Sequence, residues 1–463
     1  METATLINAS VACKTKHGTQ LHATLLRFSQ RQIVLEIYDP QTVLRTSEVF
    51  SEVKIEVEKQ IVYSGPAIIC SLINTGATMI CEVNLDTVLL AGESPSGTVT
   101  NFGDRFDSFM GEWQKNYKVV PEYKVLIADM QTFLEDLRLW LEHIEAELST
   151  SENRIERERK AIAEMSPPII GVINTFFDKF EEIANRLTDA TRPAHEAYMK
   201  RQLHWLVLCS PFAYRTFQKP LGYAGDYEMV NMMMRPTEGN SLFAKIVNQW
   251  FLQQPPAEAH RNRVIHLEQR LVEETLRVSP ERPMQVFNLG CGPAWEVQKF
   301  LSERHFSGRT EITLVDFNDE TLQNTRETLH DIRNKFGRTT RLEFVKRSVQ
   351  QVIKDGARLS ANSPQYDMVY CAGLFDYLSD QVCLRLMNIF YEMVRPGGLV
   401  LATNVDVSNP LRNGMEHLLD WHLIYRTSQQ ARALIPDKAA PDDFSVTSDI
   451  TGVNIFIEVR KPN

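Results

Sequence analysis

The chain has 463 residues, is 43% hydrophobic and 24% charged, and carries a formal net charge of -9. That length calls for two or three domains of a soluble globular protein, and the acidic balance argues against a nucleic-acid backbone as the main partner. No apolar run approaches the roughly 20 residues of a membrane span. The opening METATLINASVACKTKHG lacks a basic segment and apolar core, so no secretory signal is expected and the location is expected to be cytoplasmic. Seven cysteines without a CxxC pair suit a reducing compartment and offer no zinc framework. His417 and His422 lie five apart, off a common helical face, and no metal is expected.

Residues 1 to about 90 hold short β-like runs, QIVLEIY (32–38), VKIEVE (53–58), PAIICSLI (66–73) and TMICEVNL (78–85), parted by turn-prone pieces. The pattern predicts a small antiparallel barrel or sandwich, followed by a linker at 91–103. From about 106 to 235 the texture is helical. Ile127, Met130, Leu134, Leu137, Leu141, Ile144 and Leu148 recur at spacings of three and four, and Ile155 and Ile162 continue the period. That stripe fits either a helix packed in a bundle or a dimeric coiled coil through which two chains would pair. SPP (166–168) is expected to end the helix.

From about 240, helical patterns alternate with apolar strands at 285–289, 311–316, 342–347, 366–372 and 398–404. This predicts an α/β, doubly wound, mostly parallel sheet. The last two strands, near 444–449 and 454–460, are joined only by ITGV and must be antiparallel. The expected domains are 1–104, 105–239 and 240–463.

VFNLGCGPAWE (286–296) reads as a strand, a two-glycine turn and a helix start. A dinucleotide turn needs a third glycine for close packing beneath the pyrophosphate, and Trp295 stands there instead. S-adenosylmethionine has no phosphate; it needs a flexible turn under its methionine part and an acid for its ribose. Asp316 ends the next strand and can accept from both ribose hydroxyls.

With FNLGCGPAWE, LVDFND and VRPGGLVLATN in place, residues 285 to 405 resemble a class I S-adenosylmethionine-dependent methyltransferase, whose seven-stranded sheet also ends in an antiparallel pair. The resemblance implies S-adenosyl-L-methionine as cofactor. It places Gly290 and Gly292 under the methionine part, Asp316 at the ribose and Phe317 at the adenine, and counts Asn288, Cys291 and Val349 among the cofactor-binding residues. Ser348 falls where many members carry an acid or amide near the adenine amine. Cys371, Ala372 and Gly373 would end the fourth strand beside the transferred methyl, with Cys371 read as a buried thiol.

AGLFDYL (372–378) lacks the Pro-Pro of DNA amino-methyltransferases. A carboxylate acceptor is already ionised at neutral pH and needs no base, only desolvation and positioning. KPLGYAGDYEMVNMM (219–233), AHRNRVIHLEQRL (259–271) and MEHLLDWHLIYRT (415–427) resemble methyltransferases of the extracellular-factor 3-hydroxypalmitic acid methyl ester biosynthesis type. That likeness covers about residues 115 to 463 and implies methylation of a 3-hydroxy fatty acid to a quorum-sensing ester. Met232, Met233 and Met234 with Phe212, Phe243 and Trp250 either line an apolar tunnel or form ordinary core. A carboxylate wants a tyrosine or arginine donor; the candidates are Tyr223, Arg263, Tyr377 and Tyr425. Arg426 ranks behind Tyr425, because neighbours on a helix diverge. Asp226 is a candidate in an exposed loop, or a helix N-cap.

RFSQR (27–31), with the length and barrel-like strand pattern of the first 90 residues, resembles a PilZ domain. There the Arg27 and Arg31 pair would bind cyclic di-GMP, although the family's second motif is absent from SEVFSEVKI (47–55). Two alternatives remain: a methyltransferase with another small-molecule or protein acceptor, and a cyclic di-GMP sensor on a non-catalytic methyltransferase fold.

Overall fold

The computed structural model describes residues 9–15, 18–28, 32–37, 44, 48–57, 60–74, 79–85, 106, 110–111, 118–149, 153–362 and 366–463. The chain forms two compact units. One comprises the chain up to Lys118 with Pro220–Tyr223, the other Val119–Lys219 with Ala224–Asn463.

The first unit is a closed antiparallel barrel. Its strands are β1 (Ala9–Thr15), β2 (Gln20–Phe28), β3 (Gln32–Ile37), β4 (Val49–Val57), β5 (Gln60–Asn74) and β6 (Met79–Leu85), in the order β1-β2-β3-β6-β5-β4. Every second residue faces the core, as pleated strands require: Ile33, Leu35 and Ile37 on β3, and Met79, Cys81, Val83 and Leu85 on β6, are buried. β1 and β2 were not among the expected strands. Their inward Val11, Cys13 and Leu21 alternate with Lys14, His22 and Thr24, so the runs are too polar to stand out. Pairing of β1 with β4 closes the barrel and leaves no free sheet edge. The linker expected at 91–103 lies outside the described residues.

The second unit opens with α1 (Pro121–Ser149), α2 (Arg154–Ala184) and α3 (Arg192–Val207). The predicted stripe on α1 is buried at Ile127, Met130, Leu134, Leu137, Leu141 and Leu148. It is covered by α2, α3 and α6 (Leu242–Gln253) of the same chain, so it forms a bundle core and not the two-chain coil offered as its alternative. Two expectations about this region are corrected. The period does not run on through Ile155, which is 70% exposed and lies beyond the end of α1. Nor does SPP end a helix, because Pro167 and Pro168 lie inside α2. Each proline removes one helix N–H donor. Burial of Ile169, Ile170, Ile173, Phe177 and Phe180 in the bundle offsets this, at about 1.5–3 kcal/mol for each large side chain. Then follow α4 (Pro211–Gln218), α5 (Tyr227–Met234), α6 and α7 (Pro255–Arg277).

The sheet comprises β7 (Met284–Leu289), β8 (Thr310–Asp316), β9 (Arg341–Lys346), β10 (Tyr366–Cys371), β11 (Val394–Val405), β12 (Phe444–Ser448) and β13 (Asn454–Arg460). Their order is β12-β13-β11-β10-β7-β8-β9. β9, β8, β7, β10 and β11 pair in parallel, and β13 is antiparallel to both β11 and β12. The crossovers are α8 (Trp295–Glu303), α9 (Asp319–Lys335), α10 (Val349–Asn362) and α11 (Asp380–Met393); α12 (Arg412–Leu419) and α13 (Ser428–Arg432) follow β11. Met415, Leu418 and Leu419 of α12 join the core of the helical bundle, which ties the bundle to the sheet. The order of the strands reverses between β7 and β10, and in such sheets the carboxyl ends at that point open a ligand crevice. Among the described residues no helix is long and apolar enough to cross a membrane.

Candidate active site

The turn after β7 sits at this crevice. Gly290 and Gly292 take the left-handed backbone, with φ of 68° and 49°, and Ala294 joins them at 49°. Only glycine does so without cost; Ala294 stores roughly 1–2 kcal/mol of strain. The N–H groups of Gly290 and Cys291 both donate to the Val315 carbonyl, at 2.8 and 3.0 Å, which ties the turn to β8. A Cβ on Gly292 would meet nothing within 4 Å, so the turn faces open space there.

Asp316 ends β8 and is 4% exposed. Its two oxygens accept from the N–H of Asn318 at 3.0 Å and of Gly292 at 3.2 Å. Burial pushes its carboxyl up to about 6. The backbone N–H of Phe317 also reaches the carboxylate, and with about four acceptor sites on two oxygens it retains capacity for a hydroxyl donor. The open glycine turn and this carboxylate fit the expected S-adenosylmethionine. Phe317 follows, half-buried. Ser348 is engaged in a helix start: its hydroxyl accepts from Gln351 N at 3.3 Å and its N–H donates to Gln351 Oε1 at 2.8 Å, with Val349 buried behind it.

Asn288 and Cys291 are buried. Asn288 belongs to a polar brace that sequence reasoning missed. Tyr370 donates its hydroxyl to Glu296 Oε1 at 2.8 Å, and Asn288 Nδ2 donates to the same oxygen at 3.2 Å and to the tyrosine oxygen at 3.0 Å. A glutamate in the first turn of a helix ordinarily points to water, so nothing in PAWE signalled a buried role.

β10 ends at Cys371, whose thiol is pushed well above its usual range by burial and stays protonated. Ala372 is half-buried. Gly373 has φ of 83° and donates its N–H to Thr403 Oγ1 on β11 at 2.9 Å. A Cβ at Gly373 would lie 2.9 Å from Arg263 Nη1, so the guanidinium of this α7 residue presses on bare backbone. Among the described residues Arg263 has no ion pair; its Nη2 lies 3.0 and 2.9 Å from the two ring nitrogens of His260. Burial lowers the pKa of both, leaving His260 neutral and Arg263 still a cation. Asp376 and Glu296 are the carboxylates whose fields reach Arg263. Asp376 accepts from Val405 N at 2.7 Å, and burial pushes it up to about 6. Tyr377 accepts from Trp421 Nε1 at 3.1 Å.

The other named residues have different surroundings. Asp226 is 1% exposed, not in an exposed loop. It caps α5 by accepting from Met229 N at 2.8 Å and pairs with Arg215 at 2.9 Å. Tyr223, in the stretch grouped with the barrel, is half-buried. Residues 420–425 are not helical, so the ranking of Tyr425 over Arg426 by helix geometry does not apply. Tyr425 stacks under Arg412 at 4.6 Å, and its buried hydroxyl has no hydrogen-bond partner among the described residues. Arg426 is a brace: it donates to Phe375 O at 2.8 Å, to Leu378 O at 2.6 Å and to Asn404, and pairs with Asp380. Met233, Phe212, Phe243 and Trp250 belong to the bundle core, with Met232 packed against it, and Trp250 packs on Phe177 and donates to Asn174 at 2.8 Å. They pack as side chains of the bundle core. Glu196, Asp420 and His422 bring three possible metal-ligand atoms within 4.8 Å of one another. Lys200 already pairs with Asp420 at 2.5 Å, so that carboxylate has its counter-charge. On the barrel, Arg27 falls on β2 and Arg31 lies outside the described residues.

Residues 286–398 match the family model described as a methyltransferase domain. The larger unit carries a methyltransferase domain. The match runs from β7 into β11, so the methyltransferase domain supplies Gly290, Gly292, Asp316 and Gly373. Arg263, Asp226 and Tyr425 come from outside the matched stretch. Among solved structures, a possible exported protein from Bordetella parapertussis is 17% identical at a TM-score of 0.40, over 59% of this chain and 97% of its own. Magnesium protoporphyrin IX methyltransferase from Synechocystis, solved with S-adenosylhomocysteine, is 11% identical at 0.32, over 44% and 84%. An O-methyltransferase family protein from Burkholderia thailandensis is 13% identical at 0.32, over 60% and 74%. No curated protein matches the chain.

Proposed function

We propose that the protein methylates a carboxylate with S-adenosylmethionine as donor, the acid being of the 3-hydroxy fatty class that the motif resemblance names. When bound, S-adenosylmethionine supplies an electrophilic methyl group. Gly290 and Gly292 would lie under its methionine part and Asp316 would accept from its ribose. Asp316→Ala is expected to weaken S-adenosylhomocysteine binding by about 1.5–3 kcal/mol, as for hydrogen bonds to a charged group. Titration calorimetry measures this, and unchanged affinity would place the ribose elsewhere.

The observation that carries the acceptor class is Arg263. Its guanidinium lies on the backbone of Gly373, just past the end of β10, and its hydrogen bonds among the described residues go to His260 and not to a carboxylate. A planar fork so placed can take a carboxylate in two parallel hydrogen bonds. The carboxylate needs no base, so the work left to the protein is desolvation and alignment. Asp376 supports a second reading. A buried carboxyl pushed up to about 6 is a competent base for a hydroxyl acceptor.

One assay separates the two. The full-length protein is incubated with methyl-labelled S-adenosylmethionine and a panel of free acids and alcohols. Carboxylate transfer yields base-labile esters, whereas hydroxyl transfer yields base-stable ethers. On the leading reading Arg263→Met raises KM for the acid by roughly 10- to 100-fold, the loss of a charge-assisted pair. Ethers, or an unchanged KM in the variant, would sink it.

A further inference from the structure

Trp295 stands where a dinucleotide turn needs its third glycine, and the structure gives its indole a use. Its Nε1–H donates to Asn231 Oδ1 at 2.9 Å, and the Arg235 guanidinium lies 4.5 Å over the ring. Asn231 is on α5 and Arg235 is the residue that ends it. At the start of the same helix, Tyr227 donates its hydroxyl to Glu320 Oε1 at 2.9 Å, in the first turn of α9. Just before it, Gly225 runs so close to Tyr377 that a Cβ would sit 2.7 Å from the phenol oxygen. An eight-residue helix is thereby fastened to the segments that follow β7, β8 and β10, the three strand ends that build the site.

A helix this short is not stable alone in water. Met229 and Met233 hold it from within, and its Asp226 cap satisfies the first turn. The contacts to Trp295 and Glu320 reach across to the crossover helices. They are single, part-buried hydrogen bonds, each of which opens at modest cost and re-forms.

We propose that Trp295 is a positioning residue that latches α5 over the cofactor turn, so that the spent cofactor leaves only when the indole–Asn231 and Tyr227–Glu320 bonds open. The inference rests on the reading of the turn as the seat of S-adenosylmethionine. The third-glycine position is thus occupied by a fastening for the helical segment. The latch also serves the acceptor side, because α5 begins beside Tyr377, next to Arg263 and Asp376 in the same crevice.

The test is the release rate of S-adenosylhomocysteine from the full chain, read by stopped-flow displacement. Trp295→Phe keeps the ring under Arg235 and removes the N–H donor. Asn231→Ala removes the indole's acceptor together with the Asn231 Nδ2 donation to Glu228 at 2.9 Å within α5, and Tyr227→Phe cuts the Tyr227–Glu320 bond. Each is expected to speed release by roughly 2- to 10-fold, with the thermal midpoint little changed. Asn231→Asp combined with Glu228→Gln keeps an acceptor for the indole N–H without setting two carboxylates together where Asn231 now donates to Glu228, and should return the rate toward that of the native protein, a rescue that a purely structural role for Asn231 would not show. Native-like release in all three cutting variants would overturn the latch. Failure of the native protein to bind S-adenosylhomocysteine is a separate outcome; it would overturn the cofactor reading and the latch together.

Discussion

Arg426→Met is expected to destabilise the larger unit by about 3–5 kcal/mol, the range for removing one partner from a buried, hydrogen-bonded charge. The side chain is 1% exposed. Its guanidinium bridges the Phe375 and Leu378 carbonyls to Asn404 on β11, with Asp380 as the counter-charge at the rim. Methionine fills most of the volume but leaves these acceptors without a donor in a water-excluded place, each at about 1–3 kcal/mol. Lysine does not rescue, because one ammonium cannot span acceptors arranged for a planar fork. The consequence extends to function. The segment that Arg426 braces carries Asp376 and Tyr377 and follows Gly373, against which Arg263 lies. Urea unfolding followed by circular dichroism measures the loss, and a native midpoint in Arg426→Met would show that the brace is dispensable.

Arg426 also shows where the sequence ceased to be legible. Strands β7, β10 and β13 are largely apolar and mostly buried along their length, and such runs announce themselves. The antiparallel final pair followed from a connection too short for a crossover. The cofactor half of the site was readable for a related reason: a glycine turn and a strand-end acid are local signals, fixed by backbone geometry. The proposed acceptor half draws on α7, the turn before α5 and the segment after β10. Its residues meet only through tertiary packing, so Arg263 and Tyr377 were named from residue type and motif, and spacing did not show that they come together. Asp226 was read either as a site residue or as a helix N-cap, and it caps α5. Glu296 was passed over because its burial depends on Tyr370, far away along the chain. The two prolines of α2 misled because a local rule was overruled by burial of the residues that follow them.

His417 sets the second large effect. It is fully buried on α12. Arg192 donates to its Nε2 at 3.4 Å, which puts the proton on Nδ1, where it faces the Tyr123 hydroxyl at 3.0 Å. Tyr123 in turn donates to the His195 carbonyl at 3.1 Å. Burial, with Arg192, His195, His422 and Lys200 around it, lowers its pKa from 6.5 to about 2. The folded protein therefore holds the imidazole neutral while the unfolded chain protonates it. A depressed folded pKa contributes stability that is present above 6.5 and is lost as pH falls toward about 2. The slope is about 1.4 kcal/mol per pH unit, so roughly 3 kcal/mol is lost over the first two units. Asp316 and Asp376, both pushed up to about 6, work in the opposite direction, since the folded state takes up their protons first. The net acid response of the native protein is thus a difference of opposed slopes, and the histidine must be isolated by comparison. In His417→Gln the group that must stay neutral is gone, while hydrogen-bonding capacity remains at the site. Its unfolding free energy should therefore fall less steeply than the native protein's between pH 6.5 and 4.5, by roughly 3 kcal/mol across that window. Parallel pH profiles for the two proteins would mean that His417 takes up its proton equally in the folded and unfolded states, and that the buried tyrosine–histidine–arginine contact tolerates the charge.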